Sequence, residues 1–407
     1  MRRILFVDDE SSILQGLQRV LHPYRDQWEM AFAQGGDAAL AMLEAAPFDV
    51  IVSDMRMPGM DGAALLACVR ERYPEIIRVI LSGYADRMSA FRAVPVAHQF
   101  LGKPCDSSTL RVSVERACGL KALLSDGSLC RMVGALRDLP PLPRVYVALT
   151  GTLLNANASL DQIARIVEQD VAIAVKVLQL VNSAFFGLSR EVTNIRTAVS
   201  HLGLDLLKSL VLYSGIFHSF EEASLARGFS LDDFESHAHL TVKIAEALPT
   251  PRHLKDVTSA AALLHDVGKL VLAANMPAHL TRVFALARER GLPIYDIEME
   301  LMGVTHAEIG AYLLGLWGLP WPIVEAVAHH HAPARVPGQG LDAVAAVHIA
   351  NILAIECAPA SLAETGLVRP SLEPAYLDLV GATGQISEWR ARAREINEAS
   401  GSVVNVG

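Results

Sequence analysis

Two sets of residues in this chain have types and spacings suited to chemistry. The first is acidic with one cation: Asp8 and Asp9, Asp54, and Lys103. Each follows a short apolar run, so a fold that lines those runs up gathers three carboxylates and an ammonium at one edge. Like charges that close disfavour one another unless a cation sits among them. Mg2+ is the natural cation, a hard ion that takes oxygen ligands octahedrally and keeps some water. With Lys103 it would neutralise charge on a phosphoryl group in flight to Asp54, the main demand of such a transfer. The second set is rich in imidazole. Of 14 histidines, His237, His265, His306 and the run His329-His330-His331 stand beside residues suited to a metal site. Asp233 and His237 are i and i+4, on one helical face. His265-Asp266 lies in an apolar stretch with Lys269 one turn away, where a charge is costly unless paired or metal-bound. Imidazole with carboxylate suits Fe, Mn or Zn, and such a metal can make a hydroxide for phosphoester hydrolysis. Plainer readings stand beside these. His306 also fits the start of a capped helix, Asp233 a first-turn acid favoured by the helix dipole, and His329 a solvent-facing position.

The elements that must position these residues divide the chain in two. Up to Leu120, short apolar runs (Ile4 to Val7, Val50 to Val52, Val79 to Leu81, Gln99 to Leu101) alternate with helical patterns such as Ile13-Leu17-Leu21. Buried parallel strands read this way. Their alternation with helices predicts a doubly wound α/β domain with a parallel five-stranded sheet. Ligands in such sheets bind at the carboxyl ends of the strands, where the strand order reverses. After Leu120 the strand signals stop. Ser125-Asp126-Gly127-Ser128 and Leu139-Pro140-Pro141-Leu142-Pro143 break the pattern, and an all-helical region follows. Ser159-x-x-Gln162 and Thr305-x-x-Glu308 are capping-box starts. A Pro/Gly-rich break from Pro333 to Gly340 precedes a last helical stretch, and Ser400 to Gly407 forms a small polar tail. The expected division is 1–120 α/β, 121–138 linker helix, 139–335 helical domain and 336–407 helical extension.

The 407 residues suffice for two or three cores, and 52% hydrophobic against 19% charged describes a folded chain. A net charge of -9, with no helix-turn-helix or basic stretch, argues against nucleic acid as a partner. Five widely spaced cysteines suit reduced thiols in the cytoplasm. Asp8 and Asp9 end the first apolar run too early for a signal peptide, and charges interrupt the later apolar runs. No membrane partner is therefore expected.

The first set of residues, in its order, resembles the receiver domain of two-component response regulators. The acidic pair Asp8-Asp9, the stretch Ser53-Asp54-Met55-Arg56-Met57-Pro58-Gly59-Met60-Asp61-Gly62, Ser82 and Lys103-Pro104 carry the likeness. The resemblance implies Asp54 as phosphoacceptor, Mg2+ held by Asp8, Asp9, Asp54 and the Arg56 carbonyl, Ser82 on the phosphoryl oxygen, and Phe100 as a rotameric switch. It implies a cognate histidine kinase or phosphotransfer protein as partner.

The helical region from about Leu139 to Pro333 resembles the HDOD domain, a relative of HD-type phosphohydrolases used as a signalling output. The likeness rests on Leu139 to Pro143, Val177-Leu178-Gln179-Leu180-Val181-Asn182-Ser183, Ala198 to Gly203, and His306 through Trp317-Gly318-Leu319-Pro320 to Pro333. By further resemblance to HD-GYP phosphodiesterases, Asp233, His237, His265, Asp266, His306, His330 and His331 fall at metal-ligand positions and Lys269 at a phosphate-binding one. Asn351 stands where that pattern has an aspartate, and Ala332-Pro333-Ala334 replaces the Gly-Tyr-Pro signature. Two outputs follow. One is a non-enzymatic switch acting on a downstream signalling protein, with a homodimer as one arrangement. The other is a metal-dependent phosphohydrolase acting on a nucleotide or cyclic dinucleotide. Asn351 and the missing signature favour the first.

Overall fold

A computed structural model describes residues 2–83, 96–103, 110–115, 127–136, 159–182, 191–203, 225–336, 340–357 and 370–401, with positions 145, 148, 149, 151, 152 and 207. Leu139 to Pro143 and Ser183 lie outside the described residues, and so do the side chains of Ser82 and Phe100.

The strands are β1 Arg2–Asp8, β2 Trp28–Gln34, β3 Val50–Asp54, β4 Ile77–Gly83 and β5 Gln99–Lys103. All neighbours pair in parallel, in the order β2-β1-β3-β4-β5. Parallel strands covered on both faces are apolar throughout; Ile4 to Phe6 and Val50 to Val52 are fully buried. The apolar runs mark four strands. The fifth, β2, is an edge strand whose ends expose Glu29 and Gln34 and whose middle is half-buried, so it has no apolar run to show.

Strand order reverses between β1 and β3, whose register sets Val7 beside Ser53. Asp8 and Asp54 therefore emerge together at the carboxyl edge, and Lys103 ends β5 two strands from β3. The helix Gly62–Arg72 is capped by Asp61, which accepts from Ala64 N at 2.9 Å. A side chain at Gly62 would run into the Asp54 carbonyl, so this helix meets the acidic edge only with glycine there.

The second half is helical in every element described. Both capping boxes form: Gln162 N donates to Ser159 Oγ at 3.2 Å, and Thr305 N to Glu308 Oε2 at 2.7 Å. In the buried Val171–Asn182 helix, Lys176 is 3% exposed and places its ammonium 5.2 Å from the Trp317 ring centre. Asn182 closes that helix with work its motif did not reveal: its amide donates to Val192 O and accepts from Val192 N, each at 2.7 Å. The stretch Arg252–Asn275 is long and apolar enough to cross a membrane. It is instead core, 78% buried across its apolar window and broken at His265-Asp266 between the helices Lys255–Leu264 and Val267–Asn275.

Val267–Asn275 crosses His306–Leu316 closely, at Gly268 and Gly310. A Cβ on Gly268 would overlap the His306 carbonyl, so this glycine sets the approach of Asp266 to His306. Gly268→Ala is expected to cost about 1–3 kcal/mol, since backbone must move to make room. Urea denaturation measures this, and an unchanged midpoint would mean the crossing can widen freely.

Candidate functional site

At the sheet edge, Asp8 and Asp54 are 2% and 7% exposed, although each ends a strand at a surface. Lys103 Nζ lies 3.0 Å from Asp8 Oδ2 and also pairs with Asp54 Oδ1. The remaining oxygens are held by backbone: Asp8 Oδ1 accepts from Glu10 N at 2.9 Å and Asp54 Oδ2 from Arg56 N at 2.7 Å. Asp9 is half-buried beside them, its carbonyl accepting from Gln34 Nε2. Burial pulls the Lys103 pKa down, but the two carboxylates more than compensate and raise it. The ammonium thus stands as the cation between two acids. An all-oxygen donor set of this kind fits Mg2+.

In the helical domain one carboxylate organises the site. Asp266 is 2% exposed at the break before Val267–Asn275. On one side its Oδ2 meets Lys269 Nζ at 2.6 Å, His265 Nε2 at 3.3 Å and His237 Nε2 at 3.7 Å. On the other its Oδ1 faces His306 Nε2 at 3.2 Å and His330 Nε2 at 3.6 Å, and His331 Nε2 closes on His306 Nε2 at 2.9 Å. Among the described residues, His237, His265 and Asp266 form one group of converging ligand atoms; Asp266, His306, His330 and His331 form another. Asp266 Oδ1 and His330 Nε2 are buried with no hydrogen-bond partner, which suits a site built for a cation.

The far nitrogens of these rings are anchored. His265 Nδ1 donates to Ala262 O at 2.7 Å and His330 Nδ1 to Val327 O at 2.8 Å, which turns each Nε2 lone pair inward. His306 Nδ1 meets the buried Glu298 carboxylate at 2.6 Å. Burial alone would lower the His306 pKa, yet Glu298 and the nearby Asp266 carboxylate raise it. Burial lowers His237 and His330 to about 3. For Asp266 burial works the other way, but His265 and Lys269 outweigh it and hold the carboxyl well below its usual range.

The structure therefore assembles His237, His265, Asp266, Lys269, His306, His330, His331 and, through Asn351 Oδ1 at 3.0 Å from His237 Nε2, Asn351 as well. Asn351 arrives on the Ala343–Cys357 helix, which also sends His348 Nδ1 to the His330 carbonyl at 2.7 Å. Asp233 does not join. It is exposed in the first turn of Leu231–Ala247, where its backbone N bonds the Ser230 cap, so the first-turn reading holds for it. His329 also stays outside both groups. His306 satisfies both of its readings, starting a capped helix and facing Asp266.

Sequence reasoning missed Glu298 and Arg78. Glu298 had a signal: Ile294, Ile297, Glu298 and Leu301 share one helical stripe, which buries its carboxylate. Arg78 interrupts the apolar run of β4 and is 1% exposed. Its guanidinium donates to Val96 O at 2.7 Å and to Gly134 O at 2.6 Å, tying the sheet to the Gly127–Ala135 helix. Arg78 N donates to His98 Nδ1 at 3.1 Å, and His98 Nε2 lies 2.7 Å from Arg78 Nη2 and 3.1 Å from Gly134 O.

Comparison with known proteins agrees with this geometry. The model of the response regulator receiver domain matches residues 4–115, and that of the HDOD domain matches residues 139–333. The chain belongs to the response regulators, as a receiver domain followed by an HDOD domain. An uncharacterized protein of Treponema pallidum (strain Nichols) is 27% identical over 215 residues, 53% of this chain and 42% of that one. The hydrogenase transcriptional regulatory protein HoxA of Cupriavidus necator is 34% identical over 143 residues, 35% of this chain and 29% of that one. The solved receiver domain of an HD domain-containing protein from Pseudomonas fluorescens Pf-5 is 31% identical, covering 30% of this chain and 97% of that one at a TM-score of 0.28. This chain spans less than half the length of these two curated relatives.

Proposed function

We propose that Asp54 accepts a phosphoryl group from a cognate histidine kinase or phosphotransfer protein in the cytoplasm, and that the helical domain turns this event into altered binding of a downstream signalling protein. The observation that carries the reading is Lys103 paired with both Asp8 and Asp54 where β1, β3 and β5 end. Mg2+, held by Asp8, Asp9, Asp54 and the Arg56 carbonyl, would supply charge neutralisation during transfer. Phosphorylation gives Lys103 a new anionic partner and loosens its hold on Asp54. Lys103 ends β5, and Gln99 begins it, donating from Nε2 to Gly315 O of the helical domain at 3.2 Å. One strand thus links the acidic edge to the output, with Ser82 and Phe100 on β4 and β5 as the contact and switch residues. The buried group around Asp266 suits Fe, Mn or Zn and serves the output domain.

Asp54→Asn tests the assignment. The full-length protein, incubated with acetyl phosphate and Mg2+, is expected to gain one phosphoryl group, and the variant none. Labelling of the variant at the unmodified rate would remove Asp54 as acceptor.

A further inference from the structure

The two domains meet at the amino edge of the receiver sheet, opposite the acidic edge, and phosphoryl transfer uses none of the groups buried there. Arg78, near the start of β4, turns its five guanidinium N–H groups to neutral atoms. These are Val96 O at 2.7 Å, Pro74 O and Ile76 O at 3.2 Å, His98 Nε2 at 2.7 Å and Gly134 O at 2.6 Å. Burial keeps His98 neutral, with one ring proton. Both of its nitrogens face Arg78 donors, so one of those contacts lacks an acceptor whichever nitrogen is protonated. Glu75 Oε2, in the turn that also supplies Pro74 O, is buried with no hydrogen-bond partner. Closure therefore leaves a guanidinium without an anion and a carboxylate oxygen without a donor. Both regain solvation when the joint opens, which brings the closed and open states nearer in free energy.

The output side of the joint is one helix. Tyr312 on His306–Leu316 is 1% exposed, hydrogen-bonds Cys130 of the helix Gly127–Ala135 and feels the charges of Arg78 and Glu75. Gly315 O, on the same helix, accepts from Gln99. That helix begins at His306 beside Asp266, so Tyr312 lies about 9 Å along it from the histidine cluster. In the receiver, β4 and β5 run from Arg78 and Gln99 at the joint to Ser82 and Lys103 at the acidic edge, about 13 Å away.

Resting on the reading of Asp54 as phosphoacceptor, we propose that this joint is an autoinhibitory latch. Arg78 and Gly134 hold the helix Gly127–Ala135 against the receiver, Tyr312 holds His306–Leu316 against that helix, and phosphorylation releases His306–Leu316. The lever is β5: a new anion at Asp54 draws Lys103 at one end, and Gln99 at the other leaves Gly315 O.

Hydrogen exchange of residues 306–316 in the full-length protein tests the latch. Gly134→Ala sets a methyl group against Pro74 O and wedges the joint without touching the acidic edge. It is expected to speed exchange in that helix about tenfold with no phosphodonor present. Glu75→Gln, which removes a charge that closure leaves unsatisfied, is expected to slow it. Acetyl phosphate with Mg2+ should speed exchange in the unmodified protein and add little in Gly134→Ala. Unchanged exchange in unphosphorylated Gly134→Ala, or no slowing in Glu75→Gln, overturns the latch. Exchange that holds or slows in unmodified protein labelled at Asp54 overturns release by phosphorylation and leaves the acceptor assignment standing. Absence of labelling overturns that assignment instead, and Gly134→Ala, which needs no phosphodonor, still decides the latch. The labelling rate of Gly134→Ala reports whether its receiver domain is folded. If it is not, Tyr312→Phe, which removes only the bond to Cys130, must speed exchange in its place.

Discussion

Moved from pH 7 to pH 5 without metal, the full-length protein is expected to lose about 2–4 kcal/mol of unfolding free energy. Burial holds His330 neutral in the folded state down to about pH 3. Its unfolded counterpart takes up a proton near pH 6.5. Below that pH the unfolded chain therefore binds a proton that the folded chain refuses, and stability falls with pH until the folded value is reached. At pH 5 this amounts to about 2 kcal/mol for one ring, at about 1.4 kcal/mol per pH unit. His237 acts in the same direction, but its side chain is 21% exposed and solvent screening shrinks its share. His306, with its pKa raised by Glu298, opposes the loss. Asp266 contributes nothing in this window, because its lowered pKa matters only as pH drops below the ordinary carboxyl range. Urea titrations at the two pH values check the result. Equal stability at both would mean that the rings are solvated or already charged.

Asp266→Asn is expected to have an effect of similar size at neutral pH, about 3–5 kcal/mol. The carboxylate neutralises Lys269, whose side chain is 19% exposed, and lies 3.2 Å from the His306 ring among the imidazoles that crowd it. Asparagine keeps the shape but leaves the ammonium half in the protein without its anion. Pairing the change with Lys269→Gln should recover at least about 1 kcal/mol, the non-additivity of groups that share one charge. Additive losses in that cycle would show that Lys269 finds adequate partners elsewhere. Metal uptake should be lost in Asp266→Asn whether or not Lys269 is altered, because Oδ1 remains a neutral amide atom. The pair of measurements therefore separates the carboxylate's role against Lys269 from its role as a ligand.

The acidic edge was legible in the sequence because its logic is local. Asp8, Asp54 and Lys103 each end an apolar strand, and a parallel sheet whose order reverses brings such ends together whatever the side chains elsewhere do. Their assembly needed only strand recognition. Even β2, which has no apolar run because it lies at the sheet edge, left that inference intact. The histidines were legible as residue types with metal-suited neighbours, and Gly268 stood in the same stretch as Asp266. Their grouping was implied by the resemblance to HD-GYP phosphodiesterases and not by their spacing. Partners such as His237 and Asn351, or His306 and His331, are separated by 114 and 25 positions. Helical periodicity says which face a residue occupies but not how two helices cross. The crossing at Gly268 and Gly310 decided that Asp266 divides its two oxygens between the two groups. The same placement left Asp233 in solvent and gave His306 a buried carboxylate in Glu298. Arg78 shows the limit most plainly. A charge inside an apolar strand announces a partner, but that its partner is the Gly134 carbonyl, 56 positions away, depends on where the Gly127–Ala135 helix comes to rest.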